Sequence, residues 1–284
     1  MTWEVRVNPE DLDAFLRNAL AEDLGRGDVT SELTVAPGRR GEGRFLAKTP
    51  LVVAGTQAAA RVFALVDPAV TVRFDRADGA RLEAGETLGS VEGPARSLLA
   101  AERLALNLLQ HLSGVATLTR TYADAIAGTR ARILDTRKTL PGMRALEKAA
   151  VKAGGGFNHR LRLDDGILIK DNHIALAGGL TEAVRRARAG NRSELRIEVE
   201  VGTPAQAHEA IAAGADSLLL DNMSLTMLRE TVQLVDGRVP LEASGGVGLD
   251  TIRAIAETGV DFISVGRLTH SAPAADINLK FRPL

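Results

Sequence analysis

The strongest constraint on this chain is a recurrence in its second half. Short apolar runs, each the length of one strand, fall at 133–136, 167–170, 196–200, 217–221, 240–243 and 262–266. The last four return about every 22 residues, with helical stretches at 204–213, 225–235 and 249–257 between them. That alternation is the repeat of a parallel βα array, because parallel strands need a crossover long enough to hold a helix. An additional strand is expected near 154–163, where Gly154-Gly155-Gly156 interrupts the pattern. The clear strands are fewer than a standard βα barrel needs to close.

Nearly every run ends in polar or glycine residues: Asp135-Thr136-Arg137-Lys138, Lys170-Asp171-Asn172-His173, Glu198 and Glu200, Asp221-Asn222, Ser244-Gly245-Gly246 and Gly266-Arg267. In a parallel array the C-terminal strand ends gather on one face, where ligands bind. A purely structural array would not bring charge to almost every strand end, since desolvating an unpaired charge is costly. The collection predicts a polyanionic ligand among basic groups, with carboxylates beside a hydroxyl-rich or cationic part of it.

Length and composition narrow the class further. The chain has 284 residues, enough for about two domains. Its 35 Lys+Arg and 36 Asp+Glu leave a formal net charge of −1, which argues against binding nucleic acid or lipid headgroups by bulk charge. Cysteine is absent, which excludes disulfides, zinc–thiolate sites, iron–sulfur clusters and a cysteine nucleophile. Residues 1–15 hold no apolar run closed by small residues. The longest charge-free stretch, 104–119, is shorter than the ~20 apolar residues a bilayer requires. A cytoplasmic protein with no membrane or nucleic-acid partner is expected.

The first half has a different texture. Residues 9–22 alternate at helical spacing, with Asn8 as N-cap and Pro9 at the first helical position. Short runs between glycine and proline over 27–100 predict a small β-rich unit. Within it, DGARLEAGETLGSVEG (78–93) has the turn-rich texture of lipoyl or biotinyl carriers, but no lysine falls between Lys48 and Lys138 to carry such a group. A long apolar-periodic helix follows from about Ser97 towards Ala127.

Taken singly, the strand ends leave alternatives open. Arg137 suits a planar carboxylate gripped bidentately and Lys138 a phosphate met as a point charge, with Pro141-Gly142 supplying the turn that lets them converge. Read alone, the pair is equally a solvated loop feature. The glycine run before Asn158 permits close approach to a ligand or is only a flexible loop, and His159, by itself an ordinary polar residue, suits a second anion clamp beside Arg160. Lys170, after Ile167-Leu168-Ile169, is a phosphate partner, a Schiff-base amine or a snorkelling edge lysine. Glu200 and Asp221 suit ribose hydroxyls, Mg²⁺ or a developing oxocarbenium ion, whereas a structural ion pair to Arg196 or Lys170 is weighted towards Glu198. Ser244–Gly248, opening a helix at Leu249, together with Gly266 and His270, predicts a phosphate site.

Together these segments resemble the quinolinate phosphoribosyltransferase family over nearly the whole chain. EDLGRGDVTSE (22–32), ERLALNLLQHLSGVATLT (102–119) and, most specifically, ILDTRKTLPGMRALEKAAVKAGGGFNHRLRLDDGILIKDNHI (133–174) carry the resemblance, followed in order by EVEV, LLLDNM and LEASGGV. The resemblance implies an incomplete, open parallel α/β barrel (116–274) and a smaller N-terminal α+β domain (1–115) joined by 275–284. It implies transfer of phosphoribosyl from phosphoribosyl pyrophosphate to quinolinate with loss of carbon dioxide, in NAD biosynthesis, with Mg²⁺. Carried over, Arg103, Arg137, His159 and Arg160 would bind the quinolinate carboxylates, and Lys138 and Lys170 would lie between quinolinate and the phosphates. Glu200 and Asp221 would face the ribose and its metal. Ser244, Gly245, Gly246, Gly266 and His270 would receive the 5′-phosphate. A homodimer is implied, with Arg103 completing the partner's site. Two rivals compete: a Schiff-base aldolase built on Lys170, which leaves the arginines idle, and a non-catalytic phosphometabolite binder.

Overall fold

A computed structural model describes residues 5–284; the first four residues of the N-terminal stretch read for a leader lie outside the described residues. The chain forms two compact units, the first from Val5–Arg120, Leu140–Gly155 and Leu268–Leu284, the second from Thr121–Thr139 and Gly156–Arg267. The two are interleaved in sequence, where the family resemblance implies one boundary at 115/116 and a C-terminal return.

The first unit opens with the helix Pro9–Leu24, whose Asn8 cap accepts from the N–H groups of Glu10 and Asp11. It buries Leu12, Leu16 and Leu20, spaced one helical turn apart. Its antiparallel sheet runs in the order Ile277–Pro283, Arg40–Ala47, Thr87–Pro94, Thr71–Phe74, so the C-terminal strand pairs with Arg40–Ala47. Phe45 anchors the core, edge-on to Phe63 at 6.2 Å and 5.2 Å from Phe74. The helix Ala95–Ala125 runs unbroken through Ser113-Gly114.

Gly114 is there for the space it leaves. A Cβ at this position would stand inside contact distance of the Pro273 main-chain carbonyl. In an isolated helix Gly→Ala is favourable by about 1 kcal/mol. Here the overlap is with backbone and outweighs it, so Gly114→Ala is expected to destabilise by about 1–3 kcal/mol. Thermal unfolding of the variant checks this, and a midpoint at or above that of the unaltered protein would contradict it.

The second unit holds a six-stranded sheet in the order Arg132–Leu134, Phe262–Ser264, Leu241–Ser244, Ser217–Asp221, Ile197–Val201, Ile167–Ile169, with every neighbouring pair parallel. The first two strands of this sheet in sequence are therefore its two edges, and the barrel is open between them. The expected extra strand is reduced to one bridge, Leu134 to Phe157. Beyond Phe157 the chain turns its polar groups to Asp135 rather than to a ladder. Alternation sorts the strands: Val199, Leu218, Leu220, Ala243 and Ile263 are buried on one face, while Glu200, Asp221, Glu242, Ser244 and Ser264 line a cavity on the other. Among the described residues no helix is long and apolar enough to cross a membrane.

Candidate active site

The cavity has a volume of about 180 Å³ and draws its wall from the strands of the second unit's sheet and the turns that follow them. Thr136, Arg137, Lys138, His159, Arg160, Lys170, Glu200, Asp221, Glu242 and Ser244 meet there. A larger cavity of about 440 Å³ in the first unit is lined by apolar residues and arginines such as Arg39 and Arg282, with no carboxylate, and holds none of the residues singled out from sequence.

The turn after the strand Arg132–Leu134 brings its two cations to the cavity. Thr136 Oγ1 accepts from the Lys138 N–H at 3.0 Å and the Arg137 carbonyl from the Thr139 N–H at 3.0 Å. Asp135, fully buried, fixes the opposite segment. It accepts from Asn158 Nδ2 at 2.6 Å and from the His159 N–H at 2.8 Å. The His159 ring is committed on both sides: Nδ1 accepts from the Arg160 N–H at 2.9 Å, and Nε2 lies 2.9 Å from Glu198 Oε2. With Nδ1 an acceptor, the ring proton sits on Nε2 and is directed to Glu198.

Arg160 is 6% exposed. Its Nη1 donates to the Gly166 carbonyl at 2.7 Å, while its Nε has no hydrogen-bond partner. Burial first, and then the neighbouring Arg137 guanidinium, hold its proton affinity below the usual arginine range. Two guanidinium groups brought together in a buried wall form a site for an anion with flat, forked oxygens.

Lys170 Nζ faces Glu200 Oε2 at 3.3 Å. The expectation weighted a structural ion pair towards Glu198 and away from Glu200, and the geometry gives Lys170 to Glu200. Leu168 registers with Glu198 and Ile169 with Val199, so Lys170 falls level with Glu200. Asp221 accepts from Asn222 Nδ2 at 2.7 Å, and Asn222 N–H donates to the Ser244 carbonyl at 2.9 Å, tying two strand ends together. Gly245 (φ +96°) and Gly246 (φ +60°) follow in left-handed backbone. The helix expected from Leu249 begins only at Ile252, because Gly248 to Thr251 form a turn closed by the Thr251 hydroxyl. The phosphate reading therefore rests on loop N–H groups and not on a helix dipole. Arg103 and His270 belong to the first unit and are not among the lining residues.

Behind the cationic wall lies a buried pair of which the sequence motifs singled out only Glu198, and that as a structural ion-pair candidate. Glu198 and Glu242 are 3% and 1% exposed, and both carboxyls are pushed up to about 8. Burial is the main cause for each; Arg160 opposes it at Glu198, and the like charge of Glu198 adds to it at Glu242. The Ser217 and Ser264 hydroxyls flank them outside hydrogen-bond geometry. The only sequence signal was alternation: Glu198 and Glu242 stand two residues before Glu200 and Ser244 on the same strand faces.

An anion-binding enzyme on an open parallel α/β barrel is the class this fold and cavity define. The family described as quinolinate phosphoribosyl transferase matches in two parts, its N-terminal domain over residues 28–113 and its C-terminal domain over 115–280. The probable nicotinate-nucleotide pyrophosphorylase (carboxylating) of Bacillus subtilis (strain 168) is 42% identical over 273 residues, which cover 96% of this chain and 94% of that protein. The nicotinate-nucleotide pyrophosphorylase (carboxylating) of Mycobacterium leprae (strain TN) is 46% identical, covering 93% of this chain and 95% of that one. The crystal structure of NadC from Streptococcus pyogenes matches with a TM-score of 0.95 at 40% identity, covering 99% of this chain and 100% of that one. The chain belongs to the quinolinate phosphoribosyltransferase family.

Proposed function

We propose that the protein transfers phosphoribosyl from phosphoribosyl pyrophosphate to quinolinate and releases carbon dioxide and pyrophosphate, giving nicotinate mononucleotide for NAD biosynthesis in the cytoplasm. The observation that carries the reading is the convergence of Arg137, Arg160, Lys138 and Lys170 with Glu200 and Asp221 in one cavity. A doubly acidic pyridine needs the forked cations. A sugar that becomes cationic as pyrophosphate departs is favoured by the two carboxylates, and the lysines favour the departing phosphates. No side-chain nucleophile is required, so positioning and electrostatics carry the rate. The aldolase rival fits less well, because Lys170 Nζ faces a carboxylate and not the apolar pocket that activates a Schiff-base amine.

Arg137 and Arg160 would grip the carboxylates with His159 as part of the same wall, and Ser244, Gly245, Gly246 and Gly266 would receive the 5′-phosphate together with His270. Glu200 and Asp221 offer carboxylate oxygens of the kind Mg²⁺ takes beside substrate phosphates, so the donor set fits that ion. Bound there, Mg²⁺ would supply neutralising charge to the pyrophosphate leaving group. The buried His159, Glu198 and Glu242 also lie within ligand distance of one another, but two carboxyls that hold their protons beside Arg160 suit a divalent cation poorly. Arg103 would act in the partner's site of a homodimer. Mixing Arg103→Ala with Lys170→Ala subunits is then expected to restore activity that neither has alone.

The decisive assay is release of labelled carbon dioxide from carboxyl-labelled quinolinate. It should need both phosphoribosyl pyrophosphate and Mg²⁺; release without the sugar phosphate, or none with it, removes the reading. Gly245 offers a narrower test. A Cβ there would press on the Asn222 side chain and N–H in a backbone region that side chains rarely adopt. At about 1–3 kcal/mol of strain, Gly245→Ala should raise KM for phosphoribosyl pyrophosphate by about 10- to 100-fold. KM for quinolinate should move much less.

A further inference from the structure

One cavity carboxyl is left without a task by this reading. Glu242 lines the cavity while almost fully buried, and neither of its carboxyl oxygens has a hydrogen-bond partner. Burial outweighs the two neighbours that favour a negative charge there, His159 and Ser264. Glu198 and Asp135 repel one, and Ser264 offers a hydroxyl outside bonding geometry. His159 Nε2 stands 3.6 Å away with its proton directed to Glu198. An ionised group there would be dry, unsatisfied and faced by a second carboxyl, so Glu242 is held as the neutral acid. That state also leaves the wall attractive to a dianionic substrate.

We propose that Glu242 is the acid that protonates the ring carbon from which carbon dioxide departs, an assignment that rests on the transferase reading and extends it. Once the ring nitrogen carries the ribose, the bond between the adjacent carbon and its carboxylate breaks. Carbon dioxide leaves, and the bonding pair stays on the ring carbon. That pair takes the proton of the Glu242 carboxyl, forming the new C–H bond and leaving Glu242 as carboxylate. Water returns the proton for the next turnover, so one proton is consumed and nothing is oxidised or reduced.

The other groups on the wall serve this step less well. Arg137 and Arg160 are the forked groups that hold the substrate carboxylates. The His159 proton is engaged by Glu198, and Lys170 is engaged by Glu200. A donor that titrates close to the working pH combines the correct protonation state with the readiness to release.

The test follows pyrophosphate and carbon dioxide separately in a single turnover of the full chain with quinolinate, phosphoribosyl pyrophosphate and Mg²⁺. Glu242→Gln keeps the shape of the side chain and removes the acidic proton. Its pyrophosphate release is expected to slow only a few-fold, while carbon dioxide release slows about 100-fold. The ribosylated dicarboxylate then accumulates. Glu242→Asp, which keeps an acid but withdraws it, should fall between the two. If the two products stay coupled in Glu242→Gln, whether both fast or both slow, Glu242 is a structural support and the proposal is overturned. Should Glu242→Gln fail to fold, Glu242→Asp decides by the same criterion, a lag supporting the acid role and coupling removing it. An unaltered protein that releases no pyrophosphate from these substrates sinks the transferase reading and this role with it. Turnover by the unaltered protein with coupled release in the variants sinks this role alone.

Discussion

Arg160→Ala should lower kcat/KM for quinolinate by about 1,000-fold and leave KM for phosphoribosyl pyrophosphate within a few-fold. Truncating one partner of a buried, hydrogen-bonded charge pair costs about 2–5 kcal/mol, and 1,000-fold corresponds to about 4 kcal/mol. Arg160 meets the conditions for the upper part of that range. It is buried, its bond to the Gly166 carbonyl fixes the plane of the guanidinium, and its Nε has no partner within the protein. Arg160→Lys is expected to recover little, because a point charge cannot reproduce the planar fork. Stability should change far less than activity, since losing the Gly166 bond is offset by relief of the repulsion with Arg137. Steady-state kinetics on both substrates, with circular dichroism as a fold check, separate these effects. A loss on quinolinate below about tenfold, or an equal loss on both substrates, would show that Arg160 does not grip the acid.

The part of this site that was legible in the sequence is the part written locally. Arg137, Lys138, Lys170, Glu200, Asp221 and Ser244 each close an apolar run, and the parallel array collects strand ends by construction. All six line the cavity. What was not legible depends on register and on the seam. A structural ion pair to Arg196 or Lys170 was weighted towards Glu198, with Glu200 kept for the ligand as the residue nearest the strand end; only the pairing of Leu168 with Glu198 shows that Lys170 lies level with Glu200. The segment at 154–163 looked like a strand, but Asp135 draws Asn158 and the His159 N–H out of the ladder after a single bridge. Glu242 was passed over for the same reason. In LEAS the glutamate's one mark is its alternation with Ser244, which does not say whether that face of the strand is inward. The family resemblance covered the fold and chemistry well, while the acidic layer behind the cations had to be seen.

That layer has a consequence for stability that runs against the usual behaviour of carboxyl groups. A carboxylate paired on the surface, such as Glu182 between Arg185 and Arg186, is held down to about 2, so its contribution is present above the ordinary carboxyl range and is lost as pH falls. Glu198 and Glu242 are raised to about 8 from an ordinary value of 4.5. Between those values the folded protein binds more protons than the unfolded chain, so stability falls as pH rises. Their contribution is whole below pH 4.5, declines through the window and is gone once pH passes about 8. The two titrate as a coupled pair, and each proton retained only by the folded state contributes a slope of about 1.4 kcal/mol per pH unit. Urea midpoints measured across this window at fixed protein concentration should therefore drop towards the alkaline end. In Glu242→Gln, whose amide cannot ionise, the drop should be smaller by about one proton's worth of slope. Subtracting the two curves removes Glu182 and every other surface group common to both. Parallel curves would mean that Glu242 is already ionised in the folded protein, and a carboxylate in that position has no proton to give to the ring carbon.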